Sequence, residues 1–96
     1  MLLHIKILSY KKPQRFAVRR TVYAAKSQLS EAHPELELEI TEVKALSEIE
    51  NYTTSVILPS LVVNDRLVCT GRYPKKEEIV RWLEEALNEP GNGSKS

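Results

Sequence analysis

The chain has little of several residue types on which protein sites are commonly built. Of its 96 residues one is a cysteine, Cys69, which excludes an intramolecular disulfide, a Cys-x-x-Cys motif and a site with several thiolate ligands from this chain alone. The two histidines, His4 and His33, lie far apart in sequence, so we predict no metal and no other cofactor. Only Gly71 among the three glycines lies outside the C-terminal tail, which excludes a glycine-rich phosphate loop.

Long apolar runs are also missing, since no stretch approaches the roughly 18 apolar residues of a membrane span. The first residues, MLLHIKIL, are interrupted by Lys6 and lack a cleavage site, so we predict a strand rather than a signal peptide. Together with the single unpaired thiol, this predicts a cytoplasmic protein. An apolar fraction of 42% and a formal net charge of +1 argue against disorder. We predict one domain over residues 1–89 and a disordered tail over 90–96.

The small net charge results from two oppositely charged segments. Residues 1–29 contain seven basic residues and no acidic one. Residues 30–52 contain seven glutamates against Lys44 alone, and the remainder of the chain is balanced. Such segregation matters more for partners than for the fold.

Hydrophobic periodicity predicts seven elements in the order β-α-β-α-β-β-α. Apolar residues at steps of four and three from Val18 to Ala32 indicate an amphipathic helix that begins at Pro13. Residues 35–43 alternate glutamate with apolar residues, which indicates a strand with an acidic outer face near a sheet edge. Asn64-Asp65 separates two β-rich runs and predicts a hairpin. The predicted strands are 2–8, 35–43, 60–63 and 66–70, and the predicted helices are 13–32, a short helix within 44–52, and 75–88.

A parallel β-α-β unit followed by a hairpin and a helix predicts an α/β domain, with a mixed four-stranded sheet and helices on both faces. Residues 58–87, LPSLVVNDRLVCTGRYPKKEEIVRWLEEAL, resemble the C-terminal half of the small thioredoxin-like, glutaredoxin-sized redox-active-disulfide proteins of archaea and bacteria. The matching features are Pro59, the turn Asn64-Asp65, Gly71-Arg72 and the helix start Lys76-Glu77-Glu78-Ile79. The resemblance implies a thioredoxin-like fold and a cis peptide bond before Pro59.

The chain departs from this family at its chemical centre. The family has Cys-x-x-Cys between the first strand and the first helix, where a gapless comparison places Lys12 and Arg15. Dithiol exchange needs an attacking and a resolving thiol, so we predict that the chain does not perform it. The helix N-terminus and the proline surface would remain, and in active relatives that surface docks a polypeptide.

We therefore predict a binding module without redox cysteines, whose partner is a protein, a peptide or an acidic or anionic ligand. The basic residues at the helix start oppose the helix dipole, so an anion, an acidic partner or nearby glutamates would have to offset them. A solvated surface with no specific role is the competing interpretation. The candidate binding residues are Tyr10, Lys11, Lys12, Gln14, Arg15, Leu58, Pro59, Ser60, Arg72 and Tyr73.

Several alternatives remain at this point. Thiol–disulfide chemistry through Cys69, or a divergent redox role, is the enzymatic alternative, although a lone cysteine is more often a buried apolar residue. A homodimer is a further alternative for the partner, because the acidic strand could bind the basic face of another copy. The acidic segment and the absence of an aromatic-basic motif argue against nucleic acid, and no feature suggests a membrane.

Overall fold

The computed structural model of the protein describes residues 1–51 and 59–88. Its strands are β1 (Leu2–Leu8), β2 (Glu37–Val43), β3 (Ser60–Val63) and β4 (Arg66–Thr70), and its helices are α1 (Lys12–Leu29), α2 (Leu46–Ile49) and α3 (Lys76–Asn88). The predicted element order is confirmed. The predicted tail over residues 90–96, the domain end at residue 89 and Leu58 lie outside the described residues.

The strands form one mixed sheet in the order β2-β1-β3-β4. β1 pairs with β2 in parallel, with Leu2 opposite Glu37 and Leu8 opposite Val43. β3 is antiparallel to both β1 and β4. The parallel pair requires a crossover, which α1 supplies, and the acidic strand β2 lies at an edge of the sheet as its exposed glutamates indicate.

The core lies mainly between the sheet and the pair of helices α1 and α3. Alternate residues of β1 point into it, because successive strand side chains face opposite sides of the sheet. Its central members are aliphatic: Leu3, Ile5, Ile7, Val18, Val22, Leu61, Ile79 and Leu83. A smaller cluster of Leu8, Val43, Ile49 and Val62 covers part of the opposite face beside α2. Helices therefore pack on both faces of the sheet.

Two predicted boundaries are wrong by a few residues for local reasons. α1 ends at Leu29 rather than residue 32, because the chain turns there and His33 donates its N–H to the Leu29 carbonyl at 2.8 Å. β2 starts at Glu37 rather than residue 35, because Glu37 pairs with Leu2, the first residue of β1, whereas Glu35 lies in a turn that the Leu36 N–H closes onto the His33 carbonyl. The single turn of α2 lies within residues 44–52, where a short helix was predicted, and Tyr52 lies outside the described residues.

The hairpin between β3 and β4 forms at the predicted dipeptide. Asn64 and Asp65 have φ angles of 49° and 66°, the left-handed conformation that a two-residue hairpin turn requires. The Asn64 side chain accepts the His4 N–H at 2.9 Å, which ties the turn to β1. The pairing thus places the end of β1, the start of β3 and the end of β4 at one end of the sheet, where α1 begins.

Candidate functional site

The candidate site lies where β1 ends and α1 begins, the turn to which the resemblance assigns the family's Cys-x-x-Cys. Ser9, the first residue after β1, is fully buried and organises this turn. Its hydroxyl donates to the Gln14 side-chain oxygen at 2.6 Å and accepts the Lys11 N–H at 3.0 Å. Its own N–H is bound by the Val43 carbonyl at 3.1 Å. Ser9 therefore fixes the start of α1 against the ends of β1 and β2.

Arg15, which the gapless comparison sets against the family's second cysteine, has a side chain that points inward. Only 9% of that side chain is exposed. Its Nε donates to Glu42 Oε1 at 2.9 Å, and its Nη1 donates to the Ser9 carbonyl at 3.1 Å. A buried guanidinium is tolerated only when its charge and its donors are satisfied, and these two partners meet that requirement.

Glu42 joins two arginines of α1 to the end of β2. Its second oxygen accepts a hydrogen bond from Arg19, which lies one helical turn after Arg15. The Arg15 hydrogen bond is the main reason that the pKa of Glu42 lies below its usual value, although partial burial of the carboxyl opposes the shift. Two of the helix's arginines therefore share one carboxylate within the protein.

Glu42 was missed as a site residue, although the sequence contains a signal for it. The alternation that turns Leu36, Leu38 and Ile40 toward α1 places residue 42 on the same face. A glutamate in this phase breaks an otherwise apolar series. An inward-facing acid below a basic helix predicts an ion pair. Nearby glutamates were one of the three expected ways to offset the basic charge at the helix start, and Glu42 is such a glutamate.

Other basic residues at the start of α1 remain in solvent. Lys11, Lys12 and the preceding Tyr10 are exposed. The first turn of α1 contains no acidic residue, and no side chain caps it from the N-cap position. Basic charge next to a helix N-terminus that offers unpaired N–H groups produces a locally positive surface.

The region around Pro59 lies beside this turn, at the same end of the sheet. Ser60 lies opposite Leu8 in the β1–β3 pair, and its hydroxyl is 2.7 Å from that of Thr70. Pro59 is buried, and its carbonyl accepts the Gly71 N–H at 2.9 Å. Pro59 and Ser60 are thus held close to the end of β1, whereas Leu58 and the peptide bond that precedes Pro59 lie outside the described residues.

Arg72 is engaged with α3 rather than with the start of α1. Its guanidinium forms two parallel hydrogen bonds to the Glu78 carboxylate, at 2.8 and 2.9 Å. Glu78 also accepts the Lys75 N–H at 3.0 Å and thereby caps α3. The Arg72 hydrogen bonds, with that of the Lys75 backbone, lower the pKa of Glu78 to about 2. Tyr73, the next residue, is exposed.

Cys69 is a core residue in the middle of the hairpin. It is 5% exposed, lies opposite Leu61 and directs its thiol toward the Arg72 carbonyl, 3.6 Å away. Burial raises the pKa of this thiol, and the nearby charge of Arg72 offsets only part of the shift. A buried thiol with a raised pKa is a poor nucleophile at neutral pH.

The described ranges, 1–51 and 59–88, contain no group of three or more side chains suited to hold a metal ion. In the same ranges no helix combines the length and the apolar character needed to cross a membrane.

A βαβ unit, a hairpin and a closing helix, with the site where β1 meets α1, define a small thioredoxin-like protein. A family model described as a thioredoxin domain matches residues 15–84, well over half of the chain. The chain therefore belongs to the thioredoxin-domain family. Searches of curated proteins and of solved structures each found no match.

Proposed function

We propose that the protein is a thioredoxin-fold binding module, which holds a protein segment or an anion at the start of α1 and the adjacent proline surface. This proposal rests on one observation, which is that the basic residues at the start of α1 differ in exposure and in partners. Arg15 is turned inward onto Glu42, while Lys11 and Lys12 stay exposed beside the helix N-terminus. The inward pair stabilises the turn between β1 and α1, and the outward charges are available to a ligand.

The ligand chemistry follows from this surface. Exposed lysines and helix N–H groups favour a carboxylate or a phosphate. Tyr10 and Tyr73 are each more than half exposed, and tyrosine provides a large contact area with a polar tip. We favour an acidic peptide segment as the occupant, since it could use both the charge and the aromatic rings.

Binding would be tested by titrating the protein with inorganic phosphate and, separately, with a glutamate-rich peptide, followed by amide shifts in NMR spectra. We expect shifts centred on residues 10–15 and a loss of affinity of about fivefold in Lys12→Ala, since one charge-assisted contact contributes roughly 1 kcal/mol. Arg81→Ala, an exposed basic residue of α3, is the matched control. Equal binding by both variants, or no binding by the native chain, would contradict the proposal.

The redox alternative has its own assay. Reduction of insulin with dithiothreitol present should proceed at the rate seen without the protein, because Cys69 has no resolving thiol in the chain and is buried. An accelerated rate that disappears in Cys69→Ser would favour thiol chemistry over the binding module.

A further inference from the structure

One side of the molecule, between α1 and the edge strand β2, combines exposed apolar residues with charges of opposite sign. A shallow depression of about 440 Å³ lies there, and we call this surface the α1–β2 flank. Two of its apolar residues, Leu2 and Tyr23, are each 47% exposed. Its lining consists of Leu2, Tyr23, Lys26, Ser27, Glu37 and Leu38. Exposed leucine and tyrosine beside polar residues are typical of contact surfaces.

The flank also has separated charges of opposite sign. Lys26 lies on its α1 side and Glu37 on its β2 side, and neither side chain forms an ion pair with any residue in the described ranges. They belong to the two oppositely charged segments of the sequence, since α1 lies in the basic segment and β2 in the acidic one. Both line the same depression, so they lie at the same level along the flank.

We propose that the α1–β2 flank is a self-association surface, onto which a second copy of the chain packs around a two-fold axis parallel to β2. Such a rotation exchanges the α1 side with the β2 side and leaves the level along the flank unchanged. Lys26 of each copy then faces Glu37 of the other. The exposed Leu2 and Tyr23 of the two copies are brought together between these two ion pairs.

Charge complementarity favours a second copy in this orientation. If the β2 strands of two copies paired edge to edge, glutamates of one acidic strand would approach those of the other, and like charges across strands are destabilising. The crossed orientation places basic helix against acidic strand on both sides of the axis. The proposal is independent of any ligand at the start of α1, because the residues it uses lie elsewhere on the surface.

The test is the oligomeric state of the full chain, measured by sedimentation equilibrium at low and high salt. We expect a weak, reversible dimer whose dissociation constant rises with ionic strength, because exposed ion pairs are screened by salt. Lys26→Glu and Glu37→Lys should each weaken the dimer by roughly tenfold or more, since symmetry repeats the reversed contact twice. Lys26→Gln and Glu37→Gln should weaken it by a smaller factor.

A mixture of the two reversed variants gives the sharpest result. When Lys26→Glu meets Glu37→Lys, both contacts pair opposite charges again, so the equimolar mixture should associate more tightly than either variant alone. Arg81→Glu and Glu84→Lys, on the exposed face of α3, are the matched charge controls and should dimerise like the native chain. A monomeric native chain at low salt, a dimer indifferent to both reversals, or a mixture that stays monomeric would each overturn the proposal.

Discussion

Substitution of Glu42 by glutamine measures what the inward ion pair contributes to the fold. The change keeps the size of the side chain and removes the charge that balances Arg15, whose guanidinium then remains buried with the Ser9 carbonyl as its other partner. Removal of one member of a fully buried pair costs about 3–5 kcal/mol. The Glu42 side chain is 22% exposed, so water lessens the penalty. We therefore expect a loss of about 2 kcal/mol.

Urea and thermal unfolding followed by circular dichroism are the appropriate assays. A loss of this size lowers the urea midpoint by about 1–2 M and the melting temperature by about 8–16 °C in a domain of this length. Glu39→Gln is the matched control, because Glu39 is exposed and faces His4 on the other side of the sheet. Its effect should stay within about 0.5 kcal/mol. A Glu42 variant as stable as this control would refute the reasoning.

The difference in stability between the native chain and Glu42→Gln should depend on pH. The pKa of Glu42 lies below its ordinary value of 4.5, mainly because of the Arg15 hydrogen bond. A group whose pKa is depressed in the folded state contributes stability above the unfolded-state value and loses it as the pH falls through the folded-state value. The gap between the native chain and Glu42→Gln should thus be constant near neutrality and close below about pH 4. A gap that widened in acid would contradict this assignment.

Three further predictions concern other parts of the molecule. The Cys69 thiol should react with a maleimide only under unfolding conditions, as followed by mass spectrometry, because it is buried and its pKa is raised. The double variant Lys12→Cys/Arg15→Cys should form an internal disulfide, seen as the loss of two hydrogens by mass, while it unfolds at lower urea than the native chain since Glu42 loses Arg15. Asp65→Gly should raise the stability to urea by about 0.5 kcal/mol, because glycine adopts the positive φ without strain, whereas Asp65→Val should lower it by about 1 kcal/mol.

Most of the fold could be predicted from periodicity and turn chemistry. Strand alternation, the three-and-four spacing of α1 and the Asn64-Asp65 turn are local signals, and each was confirmed at its place in the chain. The boundary errors arose where pairing decides the end of an element. The start of β2 depends on where β1 begins, which alternation within β2 does not reveal.

The site was less accessible to sequence reasoning because its main contact joins residues 27 positions apart. Arg15 and Glu42 meet only when the parallel pairing of β1 and β2 aligns the end of β2 with the start of α1. The sequence therefore suggested a cluster of exposed cations, of which Arg15 was one. In the folded chain Arg15 is buried and neutralised, whereas its neighbours Lys11 and Lys12 are exposed as expected.

The inward ion pair changes how the start of α1 responds to its surroundings. In a redox-active relative, a dithiol at this place changes state with the reduction potential around it. The Arg15–Glu42 ion pair contains no redox-active group. Its contribution to stability depends on pH instead and is lost only in acid. The turn at the end of β1 thus has the same structure in reducing and oxidising surroundings. That constancy agrees with the proposed role of this surface, which is to bind a partner rather than to exchange electrons with it.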